Sequence, residues 1–176
     1  ANPGKLSFAS AGSGGTNHLS GELFKMMTGA DMVHVPYKGA GPAVADVLAG
    51  RVQLTFDSIP VWIPHIKAGK VRALGVTSLQ RSATVPDLPT ISEAGLKGFD
   101  VSNWLGVFAP AGVGRDIVGR LNTDLKRIMA DAEIRRQLVD QGVEAMYTTP
   151  EELADLVRKD IEKWSRLVKS SGLKVE

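Results

Sequence analysis

No cysteine occurs among the 176 residues, which excludes disulfides, thiolate metal sites and a cysteine nucleophile. The absence leaves the compartment open, because oxidising and reducing locations both tolerate it. There is no surplus of one charge either. The 21 basic residues face 19 acidic ones for a formal net charge of +2, and no stripe of Lys and Arg offers a nucleic-acid footprint. Long apolar runs are missing too. Stretches such as Trp104 to Ala111 fall short of the roughly 20 residues that span a bilayer, so no direct membrane insertion is expected. The chain opens Ala1-Asn2-Pro3-Gly4 without a methionine or an apolar leader, which is read as a processed or trimmed amino terminus. The three histidines, His18, His34 and His65, lack metal-ligand spacing with each other or with carboxylates, and neither a metal nor a cofactor is expected.

What is present is a hydrophobic content of 43%, enough for a real core, arranged as alternating strand and helix signals. A strand from Lys5 to Ala9 enters a glycine cluster. A helix from Asn17 to Thr28 follows, with Gly29 as its stop. Met32 to Val35 reads as the second strand, and a helix from Pro42 ends at Gly50. Val52 to Phe56 is the third strand, Val61 to Ala68 a short helix and Val71 to Thr77 the fourth strand. Short connections between them favour a largely parallel α/β sheet covered by helices. An arm from Leu79 to Pro89 leads to a capping box at Thr90-Ile91-Ser92-Glu93. Beyond it, Val101 to Pro110 reads as a strand and Ile117 to Ile128 as an amphipathic helix. Asp131 caps a shorter helix, Val143 to Tyr147 is strand-like, and Thr149-Pro150-Glu151-Glu152 opens a last helix reaching about Ser170. Leu153, Val157, Ile161, Trp164 and Val168 form that helix's expected buried stripe, and Trp62, Trp104 and Trp164 are read as core. The junction falls between Gly95 and Val101. The part after it holds too few strands to cover its helices, so it needs a partner segment.

The chemistry concentrates in Ser10-Ala11-Gly12-Ser13-Gly14-Gly15-Thr16-Asn17-His18. A glycine-rich turn between strand and helix leaves backbone N–H groups free to hold phosphate or carboxylate. Ser13 and Thr16 add hydroxyls, Asn17 an amide, and His18 is placed in the first helical turn, lining the site. The phosphate-loop motif fails because Asn17 and His18 stand where its Lys and Ser/Thr belong. The dinucleotide fingerprint fails at its third glycine. Ala11-Gly12-Ser13-Gly14-Gly15 lies one residue from a nucleophile elbow, so a serine hydrolase using Ser13 is the enzyme alternative. It lacks well-separated acid and histidine partners. Tyr37-Lys38-Gly39 repeats the strand-loop-helix arrangement at the next crossover and faces the same crevice, Lys38 adding attraction for anions. Asp57, at the end of the third strand, either accepts from a ligand or caps the following helix.

These residues closely resemble the Bug-type extracytoplasmic solute receptors of tripartite tricarboxylate transporters. The likeness rests on Gly12 to Leu19 with Glu22-Leu23-Phe24, on Val35-Pro36-Tyr37-Lys38-Gly39 with Gly41-Pro42, and on Ala68-Gly69-Lys70-Val71-Arg72-Ala73-Leu74. It continues through Pro86 to Gly95, Trp104 to Gly112, Thr148 to Glu152, and Trp164. The resemblance implies a type II periplasmic-binding-protein-like fold whose two doubly wound α/β lobes close on a carboxylated solute, held by a glycine-rich loop from each lobe. It implies a periplasmic, non-enzymatic receptor that delivers a dicarboxylate, tricarboxylate or acidic amino acid to transporter membrane subunits. Ser10 to His18 matches the second-lobe loop, and the amino-terminal part of the pattern is absent. Residues 1–100 would then be the complete second lobe and 101–176 the carboxyl-terminal portion of the first. The ligand-binding set is Ser13, Gly14, Gly15, Thr16, Asn17, His18, Tyr37, Lys38, Gly39 and Asp57. A homodimer through the incomplete second part, or a self-associating fragment without solute binding, follows from its bare apolar faces.

Overall fold

In the computed structural model, which describes residues 4–172, the strand β1 (Leu6–Ser10) is the centre of the fold. Its last three residues, Phe8, Ala9 and Ser10, are all buried, as a strand covered on both faces requires. On one side it pairs in parallel with β2 (Met32–Pro36), Phe8 opposite His34 and Ser10 opposite Pro36. On the other it pairs in parallel with β3 (Leu54–Thr55), giving the order β2-β1-β3.

Alternation along β1 separates two cores. Phe8 joins Leu23 of α1 (Thr16–Thr28), Met32, Phe56, Phe99, Val101 and Leu167. Ala9, one residue on and facing the opposite way, joins Ala43 of α2 (Ala40–Leu48) and Val52, with Val35, Tyr37 and Val47 packed around them. One helix therefore covers each face, and the parallel α/β reading is correct. Gly29 ends α1 in the left-handed region, its N–H donating to the Lys25 carbonyl, and α3 (Ile59–Lys67) follows β3.

The expected fourth strand, Val71 to Thr77, is not a strand. It makes one bridge, Val76 to Thr90, with the Val76 N–H on the Pro89 carbonyl and the Ile91 N–H on the Val76 carbonyl. The capping box at Thr90 does form, the Thr90 N–H donating to Glu93 and the Glu93 N–H to the Thr90 hydroxyl, but it caps a turn and not a helix.

The described residues divide into two compact units, one running to Asn103 and resuming at Trp164, the other covering Trp104–Lys163. In the second, α4 (Arg115–Ala130) is followed directly by α5 (Ala132–Asp140), capped by the Asp131 carboxylate, which accepts from the Glu133 and Ile134 N–H groups. The last helix, α6 (Pro150–Ser171), carries its chain into the first unit. The strands expected at 101–110 and 143–147 are absent. The Val101 N–H donates to the Thr77 carbonyl, but neither segment pairs in the three-stranded sheet among the described residues, and an extended chain without a ladder leaves its backbone groups to solvent. Leu105 is accordingly 88% exposed. Tyr147 is tied instead to α4, its hydroxyl donating to Asn122, which itself donates to the Thr148 carbonyl. The buried stripe of α6 also differs from expectation: Ile161 is exposed and Leu167 is buried.

Candidate functional site

In a parallel sheet of order 2-1-3 the chain leaves the central strand to one side and later returns to the other, opening a crevice beyond the carboxyl ends of the central and third strands. The loop after β1 and the loop after β3 lie at that point. Ala11 to Gly15 therefore sits where open α/β sheets place their ligands.

The loop is shaped by glycine and pinned at several points. Gly12 and Gly14 have φ of 156° and 81°, and at Gly14 the left-handed backbone disfavours any side chain. The Ser10 hydroxyl donates to the Gly12 carbonyl at 3.0 Å, and the Gly12 N–H returns to Ser10 Oγ at 3.3 Å. The second loop is stitched alongside, since the Tyr37 N–H donates to the Ser10 carbonyl and the Gly39 N–H to the Ala11 carbonyl, both at 2.9 Å. The fold thus brings Ser13 to His18 and Tyr37 to Gly39 together.

Helix α1 begins with Gly15 as its N-cap, no side chain caps it, and no acidic residue lies in its first turn. Among the described residues the N–H groups of Ser13, Thr16 and Asn17 have no hydrogen-bond partner, and Ser13, Gly15 and Thr16 are exposed. These donors, at the positive end of a helix, can hold a small anion. The Gly14 N–H is different: it donates to His18 Nδ1 at 3.0 Å.

His18 does not line an open site. It is 4% exposed, and its ring stacks on that of His34 with centroids 3.7 Å apart and planes 9° from parallel. His34 in turn stacks on Phe8 at 5.0 Å and places Nε2 2.6 Å from Ser10 Oγ. Burial holds His18 below its ordinary value, partly offset by Glu22. Burial, reinforced by His18, holds His34 at about 4. Both rings are neutral at neutral pH.

The remaining expected site residues are mostly engaged with the protein itself. The Tyr37 hydroxyl donates to Asp46, which also pairs with Arg51; both contacts hold the Asp46 carboxyl below its usual range. Asp57 accepts from the Ser58 N–H and from Trp62 Nε1, so it fastens the start of α3. Lys38 is exposed and has no ion pair among the described residues. Ser13 hydrogen-bonds no histidine among the described residues, and the elbow arrangement is not assembled. Sequence reasoning missed His34 as a support of the loop. Its signal, a histidine in a Val-His-Val strand, becomes meaningful only once β1 and β2 are aligned and place it opposite Phe8.

A parallel sheet covered by a helix on each face, with a glycine-rich loop and an uncapped helix start at its switch point, defines an α/β domain. The chain belongs to the family described as tripartite tricarboxylate transporter family receptor, which it matches over residues 1–173. It is 46% identical to a protein encoded in the tcbD-tcbE intergenic region of Pseudomonas sp. (strain P51), over 95% of this chain and 50% of that one. A protein from the clcB-clcD intergenic region of Pseudomonas knackmussii is 40% identical over 90% of this chain and 94% of its own length. Protein BugT of Bordetella pertussis is 34% identical over 100% of this chain and 54% of its own. The chain therefore spans about half the length of the first and third of these relatives. Among solved structures, an R. palustris protein with adipate superposes with a TM-score of 0.84 at 37% identity, over 97% of this chain and 57% of that one. MatC from Rhodopseudomonas palustris with bound malate gives 0.74 at 35% identity, over 94% and 57%.

Proposed function

We propose that this chain holds one carboxylate group of a small dicarboxylate, tricarboxylate or acidic amino acid in the loop Ser10 to His18, as part of a periplasmic receptor that delivers solute to transporter membrane subunits. The observation that carries this is the trio of unpartnered N–H groups at Ser13, Thr16 and Asn17, on an exposed loop tied down at Ser10, Tyr37 and Gly39. Family membership supports it, as do the adipate and malate in the related structures. In this reading the Ser13 and Thr16 hydroxyls and the Asn17 amide complete the donor set. Lys38 draws anions in, Gly15 and Gly39 let the ligand approach the backbone, and Gly14 shapes the turn. Tyr37 and Asp57 support the two flanking loops. The chain makes and breaks no bonds.

A thermal-shift panel of adipate, malate, citrate and glutamate tests the reading, because a ligand at a hundred times its Kd adds about 2.7 kcal/mol to stability. A rise in Tm with at least one acid is expected, and no rise with any acid contradicts solute binding. Thr16→Pro is the sharpest variant. Proline is tolerated at the first helical position, so the change deletes one N–H and one hydroxyl while the helix persists, and affinity falls about tenfold or more. The Ser13 hydrolase reading predicts hydrolysis of an activated ester that Ser13→Ala abolishes, whereas a receptor shows none.

A second reading concerns assembly. Leu105, Val107 and Phe108, with Ile117 and Leu121 of α4, are exposed apolar side chains in the second unit, which supports self-association through that unit. Light scattering giving a dimer mass supports this reading, and a monomer mass across micromolar concentrations contradicts it.

A further inference from the structure

We propose that His18 and His34 are positioning residues that hold the glycine loop in its anion-binding shape, and that proton uptake by His18 loosens the loop and releases the carboxylate. The release half rests on the function proposed above; the pinning of the loop does not.

The geometry is specific about protons. Gly14 donates its N–H to His18 Nδ1 at 3.0 Å, so that nitrogen must present a lone pair and the ring proton must sit on Nε2. An imidazolium carries N–H on both nitrogens. Protonated His18 would set one N–H against another and cancel the bond that fixes Gly14. The second pin belongs to His34, whose Nε2 lies 2.6 Å from Ser10 Oγ. With the Ser10 proton on the Gly12 carbonyl, Ser10 Oγ accepts from His34. The two imidazoles thus steady both ends of the Gly12 to Gly14 turn from beneath, one directly and one through a hydroxyl.

The pair is also built to resist charging. The rings lie 3.7 Å apart, too close for two cations in a buried site. On the β1 side the neighbours are Phe8 and Ser10, both uncharged. On α1, Glu22 Oε1 lies 4.0 Å from His18 Nε2, yet the same oxygen is 2.9 Å from Lys25 Nζ. Lys25 thus partly counters the carboxylate that would favour an imidazolium. Among the described residues, Glu22 and Lys25 are the charged groups that act on the pair. The loop above carries no ionisable side chain between Ser10 and Asn17.

The experiment uses the chain with 15N label, followed by NMR from pH 7.5 to 4. At neutral pH, long-range 1H–15N spectra are expected to show His18 with an unprotonated Nδ1 and a protonated Nε2, and a Gly14 amide protected from exchange. On acidification the Gly14 amide shift and protection should follow the His18 titration. A protonated Nδ1 in neutral His18, or a Gly14 amide indifferent to that titration, overturns the proposal. His18→Asn puts a non-titrating carbonyl oxygen close to the Nδ1 position; it should keep Gly14 protected and make it insensitive to pH. His18→Leu should lose protection at every pH, and if it fails to fold, the wild-type titration and His18→Asn still decide. For the release half, malate affinity in wild type should fall about tenfold more than in His18→Asn between pH 7.5 and 4.5, the ligand's own protonation cancelling in the comparison. Equal pH dependence in the two proteins overturns it. Gly14 coupling without any malate, adipate, citrate or glutamate binding leaves the pinning intact and overturns both carboxylate binding and release.

Discussion

Gly21 sits in the middle of α1, where alanine would normally favour the helix by about 1 kcal/mol. A Cβ at Gly21 would stand 2.2 Å from Phe8 Cε2, and Phe8 is wholly buried between the histidine stack and Phe56. Gly21→Ala is therefore expected to destabilise the protein by about 1–3 kcal/mol despite the better helix former, measured by urea denaturation. The histidines set a second residue-scale expectation. Both have folded values depressed below the 6.5 of the free side chain, His34 to about 4. As pH falls from about 6.5 toward 4 the unfolded chain takes up protons that the native protein refuses, so stability drops across that window. Their contribution is fully present above 6.5. Tm measured against pH should fall there with a steeper slope than in His18→Asn. The strand, tight turn and helix around Gly12-Ser13-Gly14-Gly15 were legible in the sequence, because clustered glycines between a strand and a helix signal mark such a turn. The role of His18 was not, since it depends on a ring from a neighbouring strand.

At the scale of elements, cap chemistry carried further than hydrophobic pattern. Thr149 and Glu152 exchange backbone hydrogen bonds as a capping box at the start of α6, and Asp131 caps α5 with two. Thr149→Ala should cost about 1 kcal/mol, read as a lower urea midpoint without a changed slope. Caps are local, so a few consecutive residues determine them. Strands are not. Val71 to Thr77 and Val101 to Pro110 have strand-like composition, yet their existence depends on an edge to pair with, and the sheet among the described residues has three strands. The Thr90 box makes the same point from the other side: its hydrogen bonds form, but no periodic apolar run follows to continue a helix.

At the scale of the whole molecule, the parallel order β2-β1-β3 opens a switch point above β1 and β3, the place where open α/β sheets hold their ligands. Sequence reasoning found both crossover loops and put the Ser10 to His18 loop first; the strand order adds the switch point beside it. With it, the loop after β1 is the one we propose for binding, and Tyr37 to Gly39 buttresses it through the Tyr37 and Gly39 N–H groups. Membership of the tripartite tricarboxylate transporter receptor family is what narrows the proposed ligand from an anion in general to a carboxylate. The most direct test is an NMR titration of the labelled chain with malate and adipate at pH 7.5. Saturable shifts centred on the amides of Ser13, Thr16 and Asn17 are predicted, with the Gly14 amide still on His18. Shifts centred elsewhere, or none at those three amides at any ligand concentration, would contradict the assignment of this loop as a carboxylate site.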